Sequence, residues 1–255
     1  AITKLIVMQA KFLAFGMALC AACLNVTSQN LPDYVPSAGI VGWFPFDGNC
    51  EDLSMNDFDG TPVNAMWGQN RFGVPDAALD LSAISDDYVD LPMSLDSIFT
   101  SQITVSCWVN YPAIQGQTIF QNGPTPGLYD KCHALIWDQA STGNMTVRLY
   151  SESSSYASYE YEADEEWKHL VMVLDDDSAS IFVNGEMVHE SGVMPFVNSP
   201  GVFRIGEAIF GNPYNYRGQI DEFGIWDRAL DPIEIWGLYN GTAPIIDCLD
   251  EAACN

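Results

Sequence analysis

One acidic loop of this sequence offers the oxygen ligands that bind calcium in proteins. Asp52–Gly60 contains three aspartates and one asparagine close together: Asp52, Asn56, Asp57 and Asp59. Calcium takes about six to eight oxygen ligands from carboxylates, amides and carbonyls, and flexible acidic loops supply them. The loop therefore predicts a calcium site. The alternative is that Asp52 only caps its own turn through a side-chain hydrogen bond.

Two further segments place tyrosines where a sugar ring can stack. In Tyr156–Tyr161 the residues alternate so that Tyr159 and Tyr161 share one face, and the turn Gly211–Tyr216 presents Tyr214 beside Asn215. A pyranose has an apolar face and a polar rim, so a sugar site needs an aromatic platform with hydrogen-bonding groups around it. We predict ligand binding by these four residues. The alternative for Tyr159 and Tyr161 is ordinary half-buried strand packing.

The elements that must position these residues are strands. Apolar runs at His169–Leu174 and Ala179–Val183 flank the acidic turn Asp175–Asp177. The dipeptide Asn184–Gly185 follows directly and leads into Glu186–His189, and Asn-Gly between alternating apolar residues is the strongest short hairpin signal. The pattern predicts an antiparallel meander.

One short segment near the end of the chain has a helical pattern instead. Asp231 suits an N-cap, Pro232 suits the first turn, and the apolar residues up to Tyr239 lie on one side. Elsewhere turn residues are frequent and strand signals continue without a break in composition, which predicts a single large domain.

Several short motifs occur in order along Gly39–Asn240. A W-x-H strand leads to an F-V-N-G hairpin within Trp167–Gly185, and a G-x-I-D-E strand ends in I-W-x-R-A-L within Gly218–Leu230. Gly42–Asn49 and Asp86–Val89 supply two earlier motifs. Together these motifs resemble the LamG-like, concanavalin A-like jelly-roll family. The resemblance implies an all-β fold, a two-sheet antiparallel β-sandwich, here with a short C-terminal helix.

The resemblance also bears on the calcium prediction. In a closed jelly roll the first and last strands lie side by side, so Asp221 is expected to approach the acidic loop. Several relatives in this family bind calcium. The predicted ligands of Ca²⁺ are Asp52, Asn56, Asp59 and Asp221. The alternative is that Asp221 pairs with Arg217 or Arg228.

Glycoside hydrolases also occur among concanavalin A-like sandwiches, and they need two carboxylates across a cleft. Glu162–Glu166 has the spacing Glu-x-Asp-x-Glu, but Glu165 is charged where an apolar residue should face the core. We interpret this segment as a solvated acidic turn. The three histidines lack the spacing of zinc ligands, and the chain has no G-x-S-x-G, P-loop or dinucleotide motif. The sequence predicts no catalytic residues.

The start of the chain has the pattern of an export signal. Phe12–Cys23 is apolar but too short to span a bilayer, and Val26–Ser28 has the small residues of a cleavage site. The alternative is a buried helix or a membrane anchor. We predict a signal peptide at 1–28, a linker at 29–38, the jelly roll at 39–241 and a tail at 242–255. The exported protein is expected to be secreted or held at the outer cell surface.

The chain is strongly acidic, with 34 acidic and nine basic residues and a formal net charge of −25. Such a surface repels nucleic-acid phosphates and anionic membranes, so both are excluded as partners. It attracts divalent cations. A salt-adapted surface without any specific ligand is the alternative.

The cysteines fit an oxidising compartment. The tail Asp247–Asn255 resembles the C-x-D-x-x-A-C-N units that follow such domains in large exported proteins of Bacteroidetes-like bacteria. With that resemblance we predict a bridge between Cys248 and Cys254, and a longer multidomain chain. Cys107 is expected to be a buried thiol. The pairing among Cys50, Cys107 and Cys132 stays open.

These features favour an exported, non-catalytic binding module. It would recognise a glycan or a cell-surface protein in adhesion or polysaccharide capture, with calcium as a predicted cofactor. A ligand-free structural spacer of a large surface adhesin is the second hypothesis, and a glycoside hydrolase is the third. Fold alone does not choose among them.

Overall fold

A computed structural model of the protein describes most of the chain between residues 31 and 241. The described residues are 31–82, 86–93, 101–110, 117–123, 133–139, 144–151, 154–162, 166–176, 178–191, 201–207 and 215–241. They all fall in one folded unit that begins at Leu31. In this part of the chain no helix has the length and hydropathy needed to cross a membrane.

Strands dominate the described residues, and one short helix follows the last strand. The elements are β1 (Ile40–Phe44), β2 (Thr61–Val63), β3 (Met66–Gly68), β4 (Ala78–Asp80), β5 (Tyr88–Leu91), β6 (Gln102–Asn110), β7 (Gln117–Gly123), β8 (His133–Gln139), β9 (Asn144–Ser151), β10 (Ser154–Glu162), β11 (Lys168–Asp175), β12 (Ser178–Val183), β13 (Glu186–Ser191), β14 (Val202–Ile205), β15 (Gln219–Trp226) and the helix α1 (Pro232–Tyr239).

These strands form two antiparallel sheets. The first sheet has the order β13-β12-β11-β6-β15-β4-β3, with β1 also paired to β15. The second has the order β10-β9-β8-β7-β14-β5-β2. The architecture confirms the predicted two-sheet β-sandwich, and the pairing of β1 with β15 confirms that the first and last strands are neighbours.

The main core lies between the sheets. Alternate residues of each strand point to the same side, so Phe203 and Ile205 of β14 are fully buried in one cluster with Val89 of β5. Phe223 of the first sheet meets Phe203 of the second edge-on, with ring centroids 6.0 Å apart. The aromatic contact joins the two layers directly.

A second apolar cluster covers the outer face of the first sheet, the face that points away from the main core. It packs Trp43 and Trp226 against Ile235 and Leu238 of α1. The helix begins as predicted, because the Asp231 side chain accepts hydrogen bonds from two backbone amides of the first turn. This N-cap satisfies donors that have no partner within the helix.

The segment predicted as a linker contributes to this second cluster. Val35 is buried in it, and the Trp226 Nε1 donates to the Pro36 carbonyl at 2.7 Å. Residues 31–36 therefore pack with the folded unit, and the bounds of the linker stay a prediction. Apolar Leu31 and Val35 give up solvent contact by packing onto the outer face of the first sheet.

The predicted Asn-Gly hairpin is present between β12 and β13. Asn184 and Gly185 both have positive φ, 52° and 81°, as a two-residue type I′ turn requires. A Cβ atom on Gly185 would lie 2.7 Å from Cε3 of Trp236. The glycine is therefore needed both for the turn and for the close approach of the helix.

Candidate functional sites

A row of polar residues crosses the outer face of the second sheet. In β14 and β5 the core residues alternate with Arg204, Tyr88 and Asp90, which therefore face away from the core. Arg204 is the direct cross-strand partner of both Asp90 in β5 and Gln121 in β7. The edge strand β2 places Thr61 opposite Asp90. Four neighbouring strands thus present polar side chains in one line.

Arg204 is held by two carboxylates and an aromatic ring. Its Nε and Nη2 donate to the two oxygens of Asp90 at 2.7 and 2.9 Å, and its Nη1 donates to Glu207 at 2.6 Å. The guanidinium carbon lies 3.6 Å from the centre of the Tyr88 ring. We call Tyr88, Asp90, Arg204 and Glu207 the Arg204 cluster. A bidentate pair stacked on a ring fixes the orientation of every polar atom.

The Arg204 cluster remains partly open to solvent. The exposed fractions of the Arg204 and Asp90 side chains are 17% and 32%. Burial raises the pKa of Glu207, and the charge and hydrogen bond of Arg204 work against that rise. Glu207 is more buried, with 10% of its side chain exposed. Planar, fixed and partly exposed donors and acceptors of this kind suit hydroxyl-rich ligands.

A second charged group lies on the outer face of the first sheet. Arg71 donates to Asp221 at 3.3 Å and to Glu222 at 3.0 Å, and the Tyr34 hydroxyl donates to Glu222 at 2.8 Å. The side chains of Arg71 and Asp221 are 6% and 3% exposed. We call Tyr34, Arg71, Asp221 and Glu222 the Arg71 cluster. Its burial marks it as a structural group rather than an open binding site.

A β-bulge brings both carboxylates of the Arg71 cluster to one arginine. The register between β15 and β6 shifts between Asp221 and Gly224, and Glu222 has a positive φ of 48°. A bulge adds a residue to one strand and redirects neighbouring side chains. Adjacent residues that would otherwise point to opposite faces can then share one partner.

Aromatic side chains enclose the Arg71 cluster. The guanidinium carbon lies 4.4 Å from the Trp108 ring centre, and Trp108 stacks on Tyr239 of α1 with centroids 5.7 Å apart. His169 lies beside Trp108, and its Nε2 is 2.8 Å from the Ser106 hydroxyl. Burial, and then the charge of Arg71, lower the pKa of His169 to about 3. His169 is thus a neutral, packed residue near pH 7.

The Arg71 cluster predicts a specific pH effect. Burial raises the pKa of Asp221 and Glu222, although Arg71 works against both shifts. A carboxyl whose pKa is higher in the folded state binds its proton more tightly there, so the free energy of unfolding falls as pH rises from the unfolded pKa of about 4.3. Glu222→Gln carries no titrating group at this position. We therefore expect its free energy of unfolding to rise relative to that of the unmodified protein as the pH increases above about 4.3.

Urea unfolding of the two proteins at several pH values measures this difference. The contribution of His169 is common to both proteins and cancels in the comparison. Glu186→Gln, which removes an exposed charge in β13, is the matched control. The difference between its free energy of unfolding and that of the unmodified protein should change less with pH. A Glu222→Gln difference that does not change with pH would contradict the prediction.

The residues of the predicted calcium site have other partners in the structure. The Asp52 carboxylate accepts hydrogen bonds from the backbone amides of Trp43, Ser54 and Phe58 at 2.9, 2.9 and 3.1 Å, and from the Ser54 hydroxyl at 2.8 Å. The Asp59 carboxylate accepts from the Asp52 amide at 2.9 Å. Asp52 therefore caps its own loop, which is the alternative reading of this segment.

The remaining two predicted ligands are also engaged. The Asn56 amide group donates to the carbonyls of Ile40 and Val41, and Asp221 pairs with Arg71 rather than with Arg217 or Arg228. Among the described residues no group of three or more histidine, cysteine or carboxylate side chains could hold a metal ion. The structure does not gather these four ligands at one point, and calcium binding stays a prediction.

The predicted sugar contacts lie only partly within the described residues. Tyr159 is half-buried between exposed Ser158 and Glu160. Asn215 is 4% exposed and forms a bridge to Thr118 of β7. Tyr214 and the side chain of Tyr161 lie outside the description. Ligand binding by this set stays a prediction.

The cysteines and the acidic segment Glu162–Glu166 also lie only partly within the described residues. Cys50 and Cys107 are buried free thiols, and burial raises the pKa of Cys50 to about 12. Cys132, Cys248 and Cys254 lie outside the described residues, as does most of Glu162–Glu166. The expected buried thiol at Cys107 is confirmed, and the predicted Cys248–Cys254 bridge is left as a prediction.

The chain is similar to known carbohydrate-related domains. A family model described as the concanavalin A-like lectin/glucanases superfamily matches residues 83–236. No curated protein sequence matches the chain. Among solved structures, domain 4 of AbnA, a GH43 extracellular arabinanase from Geobacillus stearothermophilus, in complex with arabinotriose, matches with a TM-score of 0.60 and 21% identity over 78% of this chain and 98% of that domain.

Two toxin domains are similar in fold as well. The binding domain of Paraclostridial Mosquitocidal Protein 1 matches with a TM-score of 0.61 and 15% identity. A botulinum neurotoxin type C structure, described by the dependence of cell entry on two ganglioside molecules, matches with a TM-score of 0.59 and 14% identity. The matched region is 80% of this chain in both cases, but only 52% and 51% of the two toxin chains. With the family model covering more than half of its residues, the chain belongs to the concanavalin A-like lectin/glucanases superfamily.

Proposed function

We propose that this domain is a non-catalytic module that binds glycans. The observation that carries the proposal is the Arg204 cluster, where one arginine, two carboxylates and a tyrosine ring are fixed on the outer face of the second sheet, partly exposed to solvent at Arg204 and Asp90. Sugar hydroxyls both donate and accept hydrogen bonds, so they match rigid side chains that offer both functions close together.

The relatives support this proposal. The match with the AbnA domain covers 98% of that domain, and the domain is described in complex with arabinotriose. The toxin domains extend well beyond the part that this chain covers, so their ganglioside or protein partners give weaker support. The export and surface location predicted from residues 1–28 would place the module where extracellular polysaccharides are captured.

The carboxylates of the Arg204 cluster favour binding over catalysis. Asp90 and Glu207 both accept hydrogen bonds from Arg204. A hydrolase instead needs one carboxyl as acid and another as nucleophile or base, on either side of a scissile bond. A surface protein in place of a glycan is the second partner that the sequence predicted, and it remains a competing outcome of the test below.

Removing the arginine should abolish most glycan binding. We expect Arg204→Ala to weaken binding of arabino-oligosaccharides by at least about tenfold, because a fixed charged donor contributes about 1.5–3 kcal/mol to each hydrogen bond it makes. Isothermal titration of the full chain measures the change. Asp90→Asn, which retains an oxygen acceptor for Arg204, should give a smaller loss.

The matched control is Arg228→Ala, since Arg228 also forms two bonds to a carboxylate, Glu234, but lies in the connection between β15 of the other sheet and α1. Its binding should equal that of the unmodified protein. Thermal unfolding of each variant shows whether it is folded. Unchanged binding in folded Arg204→Ala would overturn the proposed site, and an absence of binding to any glycan would favour the spacer hypothesis. Release of reducing sugar would establish a hydrolase.

A further inference from the structure

We infer that the Arg204 cluster selects neutral glycans and rejects glycans that carry carboxylate or sulfate groups. The inference rests on the proposed glycan-binding function and adds the chemical class of the ligand. It follows from how the charge of Arg204 is used, from the carboxylates around it, and from a buried hydroxyl on the same face.

The positive charge of Arg204 is already compensated inside the protein. Three of its N–H groups bind Asp90 and Glu207 at 2.6–2.9 Å. Recognition of an anionic sugar needs an arginine or lysine whose charge is free to pair with the ligand, commonly through two parallel hydrogen bonds. Here the bidentate edge of the guanidinium faces Asp90, so that edge cannot bind a sugar carboxylate.

The carboxylates around Arg204 outnumber it. Glu207 experiences the negative charges of both Asp86 and Asp90, each of which raises its pKa. The two carboxylates of the Arg204 cluster, with Asp86 nearby, outnumber the one arginine and leave this region negative. A ligand anion placed there would meet like charges within a few ångströms and would lose its hydration, which costs free energy.

Neutral hydroxyls suit the same atoms. The Asp90 and Glu207 oxygens can accept from sugar O–H groups, and the guanidinium N–H groups that are not bonded to carboxylates can donate to sugar oxygens. Because the Arg204 plane is held against the Tyr88 ring at 3.6 Å, little side-chain entropy remains to be lost on binding.

A buried hydroxyl on the same face is a separate observation. A bulge in β7 lets both Ile119 and Phe120 pack in the main core, which turns Thr118 and Gln121 to the outer face. Gly206 donates to the Ile119 carbonyl at 2.8 Å, so Thr118 lies next to the segment that carries Glu207. The Thr118 hydroxyl is fully buried and has no hydrogen-bond partner among the described residues. It places an uncharged hydroxyl, shielded from solvent, beside the segment that carries Glu207.

The net charge of the chain acts in the same direction at longer range. With a formal charge of −25, the protein repels polyanions before they make contact, and salt reduces this repulsion. Salt therefore separates two effects: long-range repulsion disappears at high ionic strength, whereas rejection inside the Arg204 cluster persists.

The test compares two probes on the full chain by isothermal titration at low and high salt. The neutral probe is arabinotriose, and the acidic probe is a trisaccharide of uronic acids. We expect the neutral probe to bind at least about tenfold more tightly at both salt concentrations. The double variant Asp90→Asn/Glu207→Gln, which frees the charge of Arg204, should gain affinity for the acidic probe. The matched control Asp175→Asn/Asp176→Asn makes the same change of net charge at the exposed β11–β12 turn of the other sheet. It should gain no affinity at high salt, where long-range repulsion is screened.

Each outcome decides between the inference and the function on which it rests. Equal or tighter binding of the acidic probe by the unmodified protein overturns the inference and leaves glycan binding intact. An equal gain in both double variants also overturns it, because rejection would then be a property of net charge alone. If neither probe binds but a neutral polysaccharide does, the selectivity is retested with polysaccharides, and a preference for an acidic polymer overturns it. Failure of every glycan to bind overturns the proposed function itself.

Discussion

Arg71→Met is expected to lower the free energy of unfolding by about 3–5 kcal/mol, because removing one partner of a buried ion pair leaves the other charge unpaired. Here two carboxylates, Asp221 and Glu222, would lose their only described cation. Methionine keeps much of the length of the arginine side chain, so the loss reflects charge more than volume. Urea unfolding near pH 7 measures it.

The loss should shrink as pH falls. Without Arg71, the buried carboxyls hold their protons more tightly in the folded state, so acidification neutralises the unpaired charges. The triple variant Arg71→Met/Asp221→Asn/Glu222→Gln removes all three charges and should recover most of the loss, since uncharged groups cost less to bury.

Arg228→Met is the matched control for an exposed pair. Arg228 and Glu234 are each 27% exposed, and pairs of this kind contribute about 0–1 kcal/mol. A loss of that small size in Arg71→Met would show that the Arg71 cluster contributes little to folding. A triple variant as unstable as Arg71→Met would show that shape, rather than unpaired charge, causes the loss.

The sequence specified the fold well because its signals are local. The turn Asn184–Gly185, the cap at Asp231 and the alternation in β11 and β12 each depend on residues a few positions apart. Such patterns determine strand boundaries, hairpin turns and which side of a strand meets the core. The family motifs then supplied the topology that local patterns leave open.

The sites were harder to predict because their residues come from distant parts of the chain. Arg71 lies 150 positions from Asp221, and Arg204 lies 114 positions from Asp90. Residue type alone shows that Asp221 can offer oxygen ligands, but not whether a metal or an arginine receives them. The sequence around Arg204 has one informative feature, a single charge alternating with the apolar residues of β14. The partners of Arg204 can be identified only once the pairing of the strands is known.

Asp52→Ala is the second variant with a large expected effect, a loss of about 3 kcal/mol. The Asp52 carboxylate accepts three backbone N–H groups and one hydroxyl. Hydrogen bonds to charged groups contribute about 1.5–3 kcal/mol each, although solvent at this partly open loop replaces some of them. One of the donors is the Trp43 amide, so the loss extends from the loop into β1.

Asp52→Asn separates shape from charge at the same position. Asparagine keeps one carbonyl oxygen but not the second acceptor. Asp52→Asn should therefore lower the free energy of unfolding by about half as much as Asp52→Ala. Asp57→Asn is the control for charge, because Asp57 is exposed in the same loop. Thermal and urea unfolding should show the largest loss of stability in Asp52→Ala, a smaller loss in Asp52→Asn and the smallest in Asp57→Asn.

Calcium and EDTA added to these unfolding experiments distinguish the two roles of Asp52. If its effect comes from hydrogen bonds to its own loop, the loss in Asp52→Ala is the same in EDTA and in calcium. A ligand that binds only the folded state raises the unfolding midpoint as its concentration rises. A loss that appears only with calcium present would therefore assign Asp52 to the metal site that the sequence predicts. The Asp221→Ala variant then tests whether the last strand takes part, since only a shared site would remove the calcium response in both variants.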